Sequence, residues 1–164
     1  MADLCCGAGI KAALLARTSR VIAVDILEER LHAARANARL FGVSDAVEFK
    51  QLDLSQDGAL SELGKVDAIF IDPDWRDNIA APIVRHSRNP LHTNPPLDSL
   101  YRAIRRVYAD TQVIFEVSPR ADPDELAFLG KCLIEEIHIN GRFVLHHVSF
   151  LRGLRSITRR VVRL

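Results

Sequence analysis

Cysteine is scarce in this chain, occurring only as Cys5, Cys6 and Cys132 among 164 residues. An odd count with no Cys-x-x-Cys excludes a disulfide framework and gives no zinc spacing, which fits a reducing compartment. Long apolar runs are missing too. None reaches the roughly 18 residues that a membrane span requires. Asp3 interrupts the N-terminus before a signal-peptide pattern can develop, so the chain reads as cytoplasmic, with no membrane partner. Charge of one sign is also absent: Lys and Arg total 22 against 21 Asp and Glu, a net charge of +1 that makes no global case for nucleic acid. The exception is local. Arg152, Arg155, Arg159, Arg160 and Arg163 fall within the last 13 residues, between apolar ones. That pattern suits the solvated face of an edge strand or a local basic patch.

What is present is an ordinary globular composition, 48% hydrophobic and 26% charged, enough for one domain over residues 1–164. Short β-like and helical segments alternate. Asp3–Cys6 reads as the end of a strand, followed by a Gly7-Ala8-Gly9 turn and a short helix over Ile10–Arg17. Arg20–Asp25 is a β-branched run. Leu27–Phe41 has apolar residues at helical spacing, with Gly42 as its stop. Further strands are expected over Val47–Leu52, Asp67–Ile71 and Gln112–Val117, and helices over Asp98–Val107 and Pro123–Leu129. The tail is strand-rich, over Ile134–Ile139, Phe143–Phe150 and Ser156–Val162. Alternation implies an α/β, doubly wound and mostly parallel sheet, and the tail implies a closing antiparallel hairpin. The sum is the seven-stranded, Rossmann-like layout of class I methyltransferases.

In such a sheet, ligands sit outside the carboxyl ends of the strands, and several of those ends here carry acids. Gly7 and Gly9 would let the first turn approach a ligand where a Cβ would clash. Asp25, 16 residues past Gly9, can accept both hydroxyls of a ribose. Asp53 is placed to accept from an adenine amino group, and Asp3 to orient the turn and a methionine amino end. Cys5, Ile26 and Leu54 stand beside these acids, and together they form the expected S-adenosylmethionine site. Gly7-Ala8-Gly9-Ile10-Lys11-Ala12 also satisfies the dinucleotide fingerprint. In a nicotinamide enzyme, however, Asp53 would have no standard task.

The Asp72-Pro73-Asp74-Trp75 corner carries the reaction chemistry. An exocyclic amine on a planar base is a poor nucleophile, because its lone pair is delocalised into the ring. A side-chain oxygen and a backbone carbonyl that accept its two N–H groups re-aim that lone pair, so catalysis is positioning plus electrostatics. Asp72 and the Pro73 carbonyl suit that task, Trp75 suits stacking on the base, and Asp72 also borders the cofactor. Asp74, Trp75 and Arg76 are the expected substrate contacts. Arg85, His86, Arg88 and His92 lie in or beside the long loop that follows. His138, His146 and His147 lack a partner at ligand spacing, so no metal is expected.

These segments resemble the trimethylguanosine synthase (RNA cap guanine-N2 methyltransferase) family. The likeness runs through Asp3-Leu4-Cys5-Cys6-Gly7-Ala8-Gly9, Arg20–Asp25, Ala33–Ala38, Val47-Glu48-Phe49 and Asp67–Trp75. It continues through Val113–Phe115, Pro119–Leu126 and the final strand. The resemblance implies a class I S-adenosylmethionine-dependent methyltransferase acting on guanine N2 of RNA. Two departures stand out. Asp74 replaces the second proline of the family's Ser-Pro-Pro-Trp corner, which keeps another planar substrate such as adenine open. Only Met1-Ala2 precede Asp3, so the chain is expected to be N-terminally truncated relative to the family, with a non-catalytic binding module as the alternative.

Overall fold

Strand β1 (Ala2–Leu4) has no exposed residue, and it lies between β2 (Val21–Asp25) and β4 (Ala68–Ile71). β3 (Val47–Gln51) extends the pairing beyond β2, and all three pairings are parallel. These details come from a computed structural model that describes residues 1–75, 89, 91–151 and 153–164. The chain gathers into two compact units, Met1–Asp72 and Pro73–Leu164.

In the first unit the strand order is β3-β2-β1-β4. The chain therefore winds outward from β1 in one direction and then in the other, which makes the β1–β4 boundary a switch point. Helix α1 (Ile10–Leu15) buries Ala12 and Ala13. Helix α2 (Glu28–Leu40) buries Leu31, Ala34 and Ala38, residues that share one face at helical spacing. Ala12, Ala16, Val21, Ala23, Ala38 and Val47 form a core of small side chains, which lets helix and sheet approach closely. Leu4, Val24, Ile69 and Ile71 are fully buried.

In the second unit, β5 (Gln112–Val117) pairs antiparallel with β7 (Arg142–Phe150), and β7 pairs antiparallel with β6 (Leu133–Ile139). The expected hairpin is therefore β6–β7. Strand β8 (Thr158–Arg163) pairs with β6 in parallel, a partner that its sequence did not indicate. Helix α3 (Leu97–Val107) buries Leu97, Leu100, Tyr101 and Ile104. Tyr101, Phe115 and Phe150 interlock at centroid distances of 4.6–5.7 Å. Pro123–Leu129 is a 3₁₀ rather than an α-helical segment.

Several element ends differ from the sequence reading. α1 stops at Leu15, and the first strand ends at Leu4, so Cys5 and Cys6 already belong to the turn. Both are half-buried, and Cys5 adopts a left-handed conformation (φ 63°). β3 ends at Gln51, which leaves Asp53 two residues beyond the strand.

Candidate cofactor site

The site is built from the turn after β1. The Cys6 amide donates to the Val24 carbonyl (2.8 Å), tying the turn to β2, and the Gly9 amide donates to the Cys6 carbonyl (2.8 Å). The Asn37 side-chain amide of α2 donates to the Ala8 carbonyl (2.8 Å), holding the turn from the other side. The two glycines do different work. Gly7 (φ +55°) has nothing within 4 Å of where a Cβ would stand, so its open face is available to a ligand. Gly9 (φ +72°) faces Ala34, whose Cβ would lie 2.5 Å from an added Cβ. Its missing side chain makes room for α2.

Asp25 ends β2 and is 3% exposed. One carboxylate oxygen accepts the Gly7 amide (2.9 Å) and the other accepts the Leu27 amide (3.0 Å). Arg30 stands 3.6 Å from the oxygen that faces Gly7. A carboxylate offers about four lone-pair positions, so Asp25 latches the turn and keeps acceptor capacity for hydroxyls. Ile26 beside it is 52% exposed, an apolar surface at the strand end that suits the face of a planar ring. The Gln51 amide donates to the Ile26 carbonyl (3.1 Å) and fixes that end. Asp53 lies at the surface, where its carboxylate accepts from the Ser55 amide and hydroxyl (2.9 and 2.6 Å) and the Gln56 amide (3.1 Å). Those hydrogen bonds hold its carboxyl below the usual range. Leu54 is half-buried next to it.

Asp3 is the anomaly of the site. It is 1% exposed, and neither carboxylate oxygen meets a hydrogen-bond donor. Burial pushes its pKa up to about 7, against the pull of Lys11 and with the push of Asp72. An orphaned buried acid costs stability unless something arrives to pair with it. Its chemistry fits the ammonium end of a methionine moiety, with the open face of Gly7 and the half-saturated Asp25 nearby in the same set of strand ends. Burial pushes the Cys5 and Cys6 thiols far up, which disfavours the thiolate at both.

The Asp72 amide donates to the Leu4 carbonyl (3.3 Å), which places the start of the corner directly beside the end of β1. In the second unit, Asp74 forms a backbone bridge with Asn94 (3.2 and 3.1 Å). Pro73 is buried and Trp75 is half-buried. Trp75 lines a small pocket with Thr93, Leu97, Glu116 and Ser118. It is therefore neither a fully buried core residue nor a surface one. Arg76, Arg85, His86, Arg88 and Arg152 lie outside the described residues.

Sequence reasoning missed Lys11, Arg30, Asn37 and Glu116. The Asn37 signal lay in the Ala-Arg-Ala-Asn-Ala run, whose spacing shows helix but not which carbonyl its side chain reaches. His146 and His147 lie on opposite faces of β7, as alternation requires. Burial keeps the His146 imidazole below its ordinary range. Among the described residues no group of three His, Cys, Asp or Glu could hold a metal ion. No helix among them is long and apolar enough to cross a membrane.

Residues 1–77 match the RNA cap guanine-N2 methyltransferase family. A structure from Porphyromonas gingivalis W83 described as a methyltransferase matches 99% of the chain at a TM-score of 0.74 and 18% identity. This chain spans 40% of that protein's length. An RNA methyltransferase from Salinibacter ruber, in complex with S-adenosyl-L-homocysteine, is similar over 91% of this chain and 77% of its own (TM-score 0.54, 19% identity). A Clostridium thermocellum protein described as an rRNA methylase is similar over 90% of this chain and 86% of its own (TM-score 0.56, 12% identity). At these identities the likeness is one of fold. The chain has the methyltransferase fold, in agreement with the α/β reading of its sequence.

Proposed function

We propose that this chain is an S-adenosylmethionine-dependent RNA methyltransferase that acts on an exocyclic amino group, guanine N2 before others. The observation that carries the cofactor half is Asp3, a buried carboxylate without a donor at the switch point of a parallel sheet. The match of residues 1–77 to the cap guanine-N2 family supports the choice of base and of RNA.

On this reading Asp3 receives the cofactor's ammonium, Gly7 lies against its backbone, and Asp25 accepts ribose hydroxyls. Cys5, Gly9, Ile26, Asp53 and Leu54 shape the remainder of the cofactor site. Asp53 would have to exchange its present bonds to Ser55 and Gln56 for an adenine amino group. When bound, the cofactor supplies a methyl group already activated by a sulfonium, so no metal is required. Asp72 and the Pro73 carbonyl accept the two N–H groups of the base's amine and turn its lone pair outward. Methyl transfer to the amine would leave the S–C electron pair on sulfur and a surplus proton on nitrogen, which Asp72 or solvent would accept. Trp75 stacks on the base, and Asp74 and Arg76 border it.

Calorimetric titration with S-adenosylhomocysteine, beside an Asp25→Ala variant of verified fold, is the direct test. Micromolar binding that Asp25→Ala abolishes is the expected result, followed by methyl transfer to guanine-containing and not adenine-containing RNA. Absence of binding at millimolar ligand overturns the cofactor reading. Binding without turnover on any RNA leaves a non-catalytic module in its place.

A further inference from the structure

The small pocket lined by Trp75 also holds two polar residues from the end of β5, Glu116 and Ser118. They are 7% and 3% exposed and flank Val117, the last residue of that strand. Glutamate is among the residues least often buried, and after Gln112 the rest of β5 is apolar. The Thr93 hydroxyl in the same pocket already donates to the Pro95 carbonyl (2.8 Å). The Ser118 hydroxyl oxygen accepts the Arg120 amide (3.2 Å), which leaves its O–H to donate. An aromatic ring, a carboxylate acceptor and a hydroxyl donor therefore share one pocket, all within the second unit.

Guanine, adenine and cytosine each carry an exocyclic amine beside a ring nitrogen, and the state of that nitrogen separates them. In adenine (N1) and cytosine (N3) it is a bare acceptor. In guanine N1 carries a hydrogen, and O6 follows it as an acceptor. Trp75 stands two residues past Pro73. A base stacked on it, with its amine at the Pro73 carbonyl, turns the rest of its Watson–Crick edge towards the pocket. A carboxylate there receives the N1–H of guanine and repels the lone pair of adenine or cytosine. A site built to bond one N–H rejects a ligand that lacks it, because its own polar group is then left unpaired.

We infer that Glu116 selects the base, its carboxylate accepting the N1–H of guanine while the Ser118 hydroxyl donates to O6. This role rests on the amino-methylation reading above, and it gives the choice of guanine a physical reason separate from the family match. Glu116 meets the edge that does not react, so it sets which base is taken and not how the methyl group moves. Its place opposite His147 in the β5–β7 register supplies the competing account, a role in the sheet alone. That account makes a substitution change stability and leave base preference untouched.

Trp75 is the single tryptophan of the chain, so its fluorescence reports stacking at this pocket. Short cytidine RNAs with one central guanosine, inosine, 1-methylguanosine or adenosine are titrated into the native chain with S-adenosylhomocysteine in excess, which keeps adenosine out of the cofactor site. Guanosine should bind about tenfold or more tightly than 1-methylguanosine and adenosine. Inosine, which keeps N1–H and O6 but has no amine, should fall on the guanosine side of that gap. The side-chain amide of Glu116→Gln can turn to donate to adenine N1, so this variant, with its fold verified, should lose most of the preference. Ser118→Ala should weaken guanosine and inosine alone, and an equal loss for all four RNAs overturns the O6 contact. Equal affinity for guanosine and adenosine in the native chain, or native preference kept by Glu116→Gln, overturns the role of Glu116 and leaves the base site standing. If Glu116→Gln does not fold, inosine decides in the native chain, since binding no better than adenosine overturns the role. Absence of any fluorescence response overturns the base site at Trp75 itself, whatever S-adenosylhomocysteine does.

Discussion

Residues 1–72 keep decisive charges inside, while residues 73–164 place their arginine-rich strand outside and pair it. In the first unit Asp3 and Asp25 are 1% and 3% exposed, on the paired strands β1 and β2. In the second unit Arg159 pairs with Asp124, and Arg160 pairs with Glu135 at 2.6 Å, both arginines more than half exposed on β8. Exposed pairs add little stability and are easily replaced. Buried, incompletely paired charge costs stability and persists where a ligand uses it. The contrast separates the two clusters of charge that stand out in the sequence. The acids of the strand ends make a candidate site, whereas Arg159 and Arg160 of the last strand pair with Asp124 and Glu135 on the protein's own surface.

Four substitutions would break or sharpen that contrast. The largest effect is expected at Gly9. Gly9→Ala adds left-handed strain to a 2.5 Å clash with Ala34 and should cost about 3 kcal/mol or more, measured by urea unfolding. A loss below about 1 kcal/mol would mean that the first unit is less tightly built than its core implies.

Asp3→Asn should have the opposite sign. The native carboxyl has a pKa raised from 3.8 to about 7, so the folded state binds the proton more tightly than the unfolded one. Its contribution is fully present below pH 3.8 and is lost as pH rises through about 7. Asn cannot ionise, so at pH 8 the variant should be more stable by about 2–3 kcal/mol, the desolvation of a carboxylate less the burial of an amide. The gain should vanish near pH 4 while S-adenosylhomocysteine binding is lost. Equal stability of the two proteins at pH 8 would remove Asp3 from the list of costly charges.

The smallest effect is expected on β8. Arg159→Ala and Arg160→Ala should each change stability by no more than about 0.5 kcal/mol, and less in high salt. A larger loss would show that this edge depends on its pairs as the first unit depends on its packing.

Much of the fold was legible because its signals are local. β5 runs over Gln112–Val117 as its β-branched and aromatic run suggests, and α2 differs by a single residue at each end. The strand-rich tail implied a closing antiparallel hairpin, and β6 and β7 form it. The parallel seat of β8 against β6 was not legible, since pairing direction depends on a partner and is not written in either strand alone. Within the candidate site, the structure places Asp3 inside β1, Asp25 at the end of β2 and Asp72 just past β4. Residue types could not show that Gly9 packs against Ala34 or that Asp53 is bonded to its neighbours. Each of those facts joins residues from separate elements or depends on a side-chain direction that composition does not set.

The contact between Gly9 and Ala34 has a consequence for how such a sequence can drift. A turn that needs a missing side chain at one position and a methyl group at another ties two sites, 25 residues apart, into one unit of inheritance. Enlarging either alone pushes α2 off the turn, while Asn37, one helical turn further along, also loses its hold on Ala8. Substitutions in this helix are therefore filtered through the ligand-facing turn even where they touch no ligand. Position 34 should tolerate little but glycine or alanine while its neighbours on the outer face change freely.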